Sequence, residues 1–187
     1  SSREDPIQQP AETDSPSTIT FPDPIDELKD QAHWSASDWF EHASRLMEQD
    51  NTDSAIEAFR MAAMDSPDDP EMHFHLADAL VRIDNLAGAL ERFYMTVALD
   101  PEYVEAWTQL GFVQHLLGDA QAAIDAFDIA LATHEDYSVA VYHKAVVLHE
   151  QGQTEPAREL FERYVDQESQ GTWAEHAREM LGLVTTD

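Results

Sequence analysis

The sequence predicts an all-α solenoid in which short helix pairs stack on copies of themselves, and three observations lead there. The first is a phenylalanine that recurs every 34 residues (Phe59, Phe93, Phe127, Phe161), four residues after an alanine with the same spacing (Ala55, Ala89, Ala123, Ala157). A fixed period of that length marks one supersecondary unit laid against its own copies, not a single globular core. The second is a pair of apolar stripes at helical spacing within each period. The third is punctuation, with turn-forming residues at the same two places in the copies.

With Phe59 counted as position 24, positions 4, 7, 8 and 11 recur at i, i+3, i+4 and i+7, one stripe of an α-helix. Position 4 reads Trp39, His73, Trp107, Val141, and position 7 reads His42, Leu76, Leu110, Lys144. Position 8 is small throughout (Ala43, Ala77, Gly111, Ala145), and position 11 gives Leu46, Leu80, Gln114, Leu148. Positions 20, 24 and 27 form the stripe of a second helix, the last being Ala62, Thr96, Ala130 and Tyr164. Small residues at 8 and 20 predict a close approach of the two backbones. The ring at 24 then fills the gap between one pair and the next.

The turns follow the same register. Asp50-Asn51, Asp84-Asn85, Gly118-Asp119 and Gly152-Gln153 separate the two helices of each unit and mostly suit the left-handed residue that ends a helix. Ser66-Pro67-Asp68-Asp69-Pro70 and Asp100-Pro101 separate units, supplying an N-cap acid and an early proline. Ser35 with Asp38 predicts a capping box for the first helix, and Thr172 with Glu175 a second one for a terminal helix. The resulting units are 36–69, 70–103, 104–137 and 138–171, followed by a capping helix at 172–184. That helix is expected to pack Trp173, Ala177, Met180 and Leu181 and to expose Glu175, Arg178 and Glu179. Residues 1–20, rich in Pro, Ser, Thr, Gln and acids, bury too little to offset their ordering entropy and are expected to be disordered. Residues 21–35 read as a linker in which Ile25, Leu28 and Ala32 fall at helical spacing. Two roles stay open for it, covering the edge of the first unit or folding back into the protein's own groove.

The pattern resembles the tetratricopeptide repeat, a helix-turn-helix unit of the same length. The third copy carries the resemblance most fully, with Trp107, Leu110, Gly111, Ala123, Phe127 and Ala130 in one register. The resemblance implies a right-handed α-solenoid of four units. It also implies that the first helices line a concave groove, through positions 2, 5, 9 and 12, for an extended peptide or a helix. Position 5 holds Phe40, Phe74, Thr108 and Tyr142, and position 9 holds Ser44, Asp78, Phe112 and Val146. Position 2 holds Ser37, Glu71, Glu105 and Val139, and position 12 holds Met47, Val81, His115 and His149. The candidate contact residues are therefore Phe40, Phe74, Asp78, Glu105, Thr108, Phe112, His115, Tyr142, Val146 and His149, with the central aromatic rings as expected hot spots. Members that clamp the acidic tails of heat-shock proteins use Lys, Asn and Arg on this surface. Here Phe40, Ser44, His75, Glu105 and Gln109 stand at those places, and one unit later Phe74, Asp78, Gln109, Val139 and His143. An acidic tail is thus excluded, and a ligand with apolar anchors and one or more Lys or Arg is expected.

Charge narrows the classes further. The chain has 38 acids against 10 bases, a net charge of −28, which excludes a nucleic-acid groove because phosphate binding needs a positive footprint. The acids are spread over the whole chain, which fits a solvating surface of the kind adapted to high salt better than recruitment of a basic partner. Nothing points to an enzyme: there is no glycine-rich phosphate loop, nucleophile elbow or HExxH. Neither a cofactor nor a metal is expected. His73 and His75, two apart on a helix, face different ways, and His115 facing His149 beside Glu150 falls short of a zinc set. No apolar run is long enough to span a bilayer. The absence of cysteine leaves the compartment open, with a soluble, cytoplasmic setting expected over a periplasmic or exported one. The chain opens without Met, so it is expected to be either processed or cut from something longer. Two function classes remain. One is a peptide-binding adaptor; the other is an accessory module of a larger regulatory or envelope-assembly protein, self-associating through the repeat edges.

Overall fold

The structure, a computed structural model, describes residues 33–183, and the expectations for the tail at 1–20 and for a helix before residue 33 lie outside them. Within residues 34–183 the helices come in pairs. They are α1 (Ala36–Glu48) with α2 (Thr52–Asp65), α3 (Pro70–Arg82) with α4 (Leu86–Leu99), α5 (Val104–Leu116) with α6 (Ala120–Thr133), and α7 (Ser138–Glu150) with α8 (Thr154–Gln167). A last helix, α9 (Thr172–Met180), follows. The densest packing is within each pair; each second helix then meets the first helix of the next pair, α9 rests on α8, and α5 touches α7. The fold is an all-helical solenoid of stacked pairs, with no strand among the described residues.

The repeat lattice is the core. Phe59, Phe93, Phe127 and Phe161 are all buried, as are Ala55, Ala89, Ala123 and Ala157. The small residues at position 8 are buried against them, and the third unit shows how tightly. A Cβ added to Gly111 would lie 2.7 and 2.9 Å from Cε1 and Cδ1 of Phe127 and 3.0 Å from the Ala123 carbonyl oxygen. Glycine is therefore what lets α5 close onto α6. Thr96, at a position that is alanine in two other units, is buried at no polar cost because its hydroxyl donates to the Arg92 carbonyl at 3.0 Å.

The turns inside the pairs are built alike. Asp50, Asp84, Gly118 and Gly152 take φ of 57°, 60°, 86° and 74°, the left-handed region. The next residue's N–H then reaches back to a carbonyl of the helix just ended: Asn51 to Leu46, Asn85 to Leu80, Asp119 to Gln114 and Gln153 to Leu148, each at 2.9 Å. Helix starts vary more. The Ser35 and Asp38 capping box forms, the Ser35 N–H donating to Asp38 Oδ2 at 2.8 Å, and Asp69 caps α3 with Pro70 in its first turn. Pro101, by contrast, stays in the turn before α5, where Asp100 accepts from the Glu102 N–H at 3.0 Å.

Three expectations for the last helix are corrected. Thr172 makes no capping box, because Gly171, at φ 98°, is itself the N-cap and Thr172 falls inside the helix. On the packed face Ala174 and Ala177 are buried, Leu181 packs against the core and Trp173, though 41% exposed, stacks on Tyr142, but Met180 is left 39% exposed. The helix ends at Met180, short of residue 184, with Gly182 at φ 71°.

Candidate functional site

Positions 4, 8 and 11 turn each first helix toward its partner, so positions 5, 9 and 12 share another stripe of the same helix. On that stripe the structure gathers an aromatic and acidic surface. Phe40 and Phe74 are half-buried by each other's neighbours: Phe40 meets His75 edge-on at 4.9 Å and Phe59 at 5.7 Å, and Phe74 stacks on Tyr103 at 4.9 Å. Phe112 is half-buried beside His143 at 5.0 Å. Asp78 lines a cleft of about 260 Å³ with Ser44, Met47, Phe59, His75 and Arg82, the Arg82 guanidinium lying 3.7 Å from its carboxylate. Glu105 and His149 are exposed, and Val146 is half-buried.

Three expectations for this surface are corrected. Thr108 is 2% exposed, its short side chain turned back to donate to the Val104 carbonyl at 2.9 Å. Tyr142 is buried because α9 crosses it: Trp173 stacks flat on its ring at 4.9 Å and 6°, and its hydroxyl bonds His176 Nδ1 at 2.8 Å. His115 does not pair with His149; its Nε2 meets Glu150 Oε2 at 2.6 Å, a carboxylate one unit along being the better partner for an imidazole. His73 and His75 do point apart. His73 is buried with Nε2 on the Pro67 carbonyl at 2.8 Å, and His75 lies on the aromatic surface.

The sequence reading passed over a repeated histidine. His75 and His143 both occupy position 6, two periods apart. Each lies flat on the position-24 phenylalanine of the preceding unit, His75 on Phe59 at 6.0 Å and 19°, His143 on Phe127 at 6.1 Å and 13°. Burial pushes the His143 pKa down to about 4, with His115 adding to the effect, so this imidazole is neutral at neutral pH. Tyr103, under Phe74, is pushed up to about 12 by burial and then by Glu71 and Glu105. The surface around Phe74 is thus both apolar and in a negative field.

The tetratricopeptide repeat family matches residues 40–104 and, through a second profile of the same description, residues 114–178. This chain belongs to the tetratricopeptide repeat family. Solved structures agree on the fold. The chain is similar to the crystal structure of MamA, at 26% identity and TM-score 0.66, over 75% of this chain and 85% of that one. It is similar to YrrB, described as a tetratricopeptide-repeat protein with an unusual peptide-binding site, at 20% identity and TM-score 0.70, over 82% and 77%. It is also similar to the first repeat domain of Spaghetti (RPAP3) bound to the HSP90 peptide SRMEEVD, at 19% identity and TM-score 0.61, over 63% and 94%. No curated protein matches the sequence. Among the described residues, no helix is long and apolar enough to cross a membrane.

Proposed function

We propose that this chain is a non-catalytic interaction scaffold whose first-helix face binds a peptide or helix bearing apolar anchors and Lys or Arg. The observation that carries the reading is Phe74, a half-buried ring stacked on Tyr103, whose hydroxyl is held protonated by burial and by Glu71 and Glu105. An apolar anchor can seat there, and a cation beside it gains from the negative field. That YrrB has a peptide-binding site and that the Spaghetti domain holds a peptide supports use of the fold for peptides. The acidic SRMEEVD type of ligand fits poorly, because Glu71, Asp78 and Glu105 put negative charge on this face. Phe40, Phe112 and Val146 extend the apolar track, and His115 and His149 border it.

The test is selection of dodecamers from a random display library against the immobilised chain. Enriched sequences should combine Lys or Arg with aromatic or branched residues. Phe74→Ala with Phe112→Ala should weaken them by about tenfold or more while circular dichroism stays unchanged. Enrichment of acidic peptides, or equal binding to the double variant, would refute the reading. A specific observation favours the second class too: Met61, Met95 and Ile129, all at position 26, are 41%, 41% and 39% exposed on second helices. Sedimentation at low and high salt separates a self-associating module from a monomeric adaptor.

A further inference from the structure

Position 11 is leucine in three units and Gln114 in the third. The side chain is 7% exposed; its Nε2 donates to the Tyr94 hydroxyl at 2.9 Å, and its Oε1 has no partner. Leucine fills the same place elsewhere in the array, so packing alone does not require an amide here. A buried acceptor without a partner is a cost that apolar substitution would remove. Gln114 lines a cleft of about 220 Å³ between α4, α5 and α6, together with Tyr94, Trp107, Asp125, Ala126 and Ile129. Its walls are Tyr94 of α4, Trp107 and Gln114 of α5 and Asp125, Ala126 and Ile129 of α6, away from the stripe of positions 5, 9 and 12. The corresponding cleft one unit earlier is lined by Arg60 and Arg92. Arg60 and Arg92 stand there at the repeat positions that Tyr94 and Ala126 hold here, so this cleft lacks their two positive charges.

We propose that this cleft is a second recognition site, separate from the first-helix face, that takes an arginine side chain of a partner protein. A guanidinium brings five donors in a plane and no acceptor, which is the complement of what the cleft offers. Gln114 Oε1 takes one N–H. Asp125, whose Oδ1 already accepts from Gln121 Nε2 at 2.8 Å, has its other oxygen for a second. The Trp107 ring receives the flat face of the cation, and Ala126 and Ile129 the methylene stem. Tyr94, 48% exposed and tethered to the amide by one hydrogen bond, is the wall that swings out to admit the head group. Lysine carries its charge at one point and has no flat face for the Trp107 ring, and a carboxylate would meet Asp125. The net charge of −28 draws cations to the surface at large; the cleft selects among them.

The test is an NMR titration of the full chain with N-acetyl-arginine methylamide, repeated with the lysine and glutamate counterparts. The arginine probe should move the Gln114 side-chain amide and the Trp107 indole N–H saturably, the lysine probe less and the glutamate probe not at all. Asp125→Asn should weaken the arginine probe by about tenfold. Gln114→Leu, which restores the residue of the other three units, should fold, resist urea better than the parent and lose the Trp107 response. Unmoved signals in the parent, equal movement by glutamate, or undiminished binding to Gln114→Leu would overturn the proposal. Signals of Phe74 and Phe112 report the first-helix face in the same spectra, so failure at one site is read separately from failure at the other.

Discussion

Gly111→Ala is the substitution that interrogates the stacking most sharply. The new methyl would sit 2.7 Å from Phe127 Cε1, closer than carbon tolerates, and 3.0 Å from the Ala123 carbonyl oxygen, tighter than nearly all ordinary contacts. Neither neighbour gives way cheaply, since Phe127 is fully buried and Ala123 is backbone in the middle of α6. Overpacking of this kind costs about 1–3 kcal/mol. Replacing a mid-helix glycine by alanine returns about 1 kcal/mol through helix propensity. The net expectation is a loss of up to about 2 kcal/mol. Gly88→Ala supplies the contrast, because its methyl would meet only the exposed Asn85 side chain, at 3.0 Å from Oδ1. Urea unfolding followed by circular dichroism should show Gly111→Ala with a lower midpoint and Gly88→Ala with an equal or higher one. A Gly111→Ala protein as stable as the parent would mean that α5 and α6 are not held at this separation.

Other outcomes follow from the turns, from His143 and from the charge. Asp50→Gly and Asp84→Gly, at φ 57° and 60°, should each stabilise by about 0.5–1 kcal/mol, read as a higher urea midpoint. Asp50→Asn separates relief of charge repulsion from relief of backbone strain, and a lower midpoint for both glycine variants would contradict the turn assignment. His143 binds its proton less readily folded, at about 4, than unfolded, near 6.5. The stability it contributes is therefore full above pH 6.5 and is lost as the pH falls toward 4, on the order of 3 kcal/mol. His143→Gln should flatten the urea midpoint across that window, and an unchanged slope would place the acid sensitivity elsewhere. Raising NaCl from about 0.05 M to about 1 M should increase the midpoint by screening repulsion among the acids; a fall would show that ion pairs such as Arg158 with Glu162 outweigh it.

What could be read from the chain was whatever repeats. The phenylalanine and alanine lattice set the pairing of helices, and the aspartates and glycines at the left-handed position set where each pair turns, because both depend on contacts within one period. What could not be read depends on which distant element covers a given face. Tyr142 sits in the same motif position as Phe74, yet α9 lays Trp173 on the one while Tyr103 supports the other from beneath. Periodicity places a residue on a stripe; it does not say what crosses the stripe. Thr172 failed as a cap for a local reason, since a glycine able to reach φ 98° one residue earlier took the N-cap. His75 and His143 did leave a signal, the same residue at the same motif position two periods apart, but only the stacking on Phe59 and Phe127 gives it meaning. Gln114 was visible as a departure from leucine, and its consequence needed the unpartnered oxygen.

The direct test of the scaffold reading is photo-cross-linking with a display-selected peptide that carries a photoreactive residue, followed by mass spectrometry of the sites joined. The account predicts cross-links on α1, α3 and α5, at or beside Phe40, Phe74, Asp78 and Phe112. Cross-links confined to the outer positions of α2, α4 and α6, such as Met61, Met95 and Ile129, would contradict it.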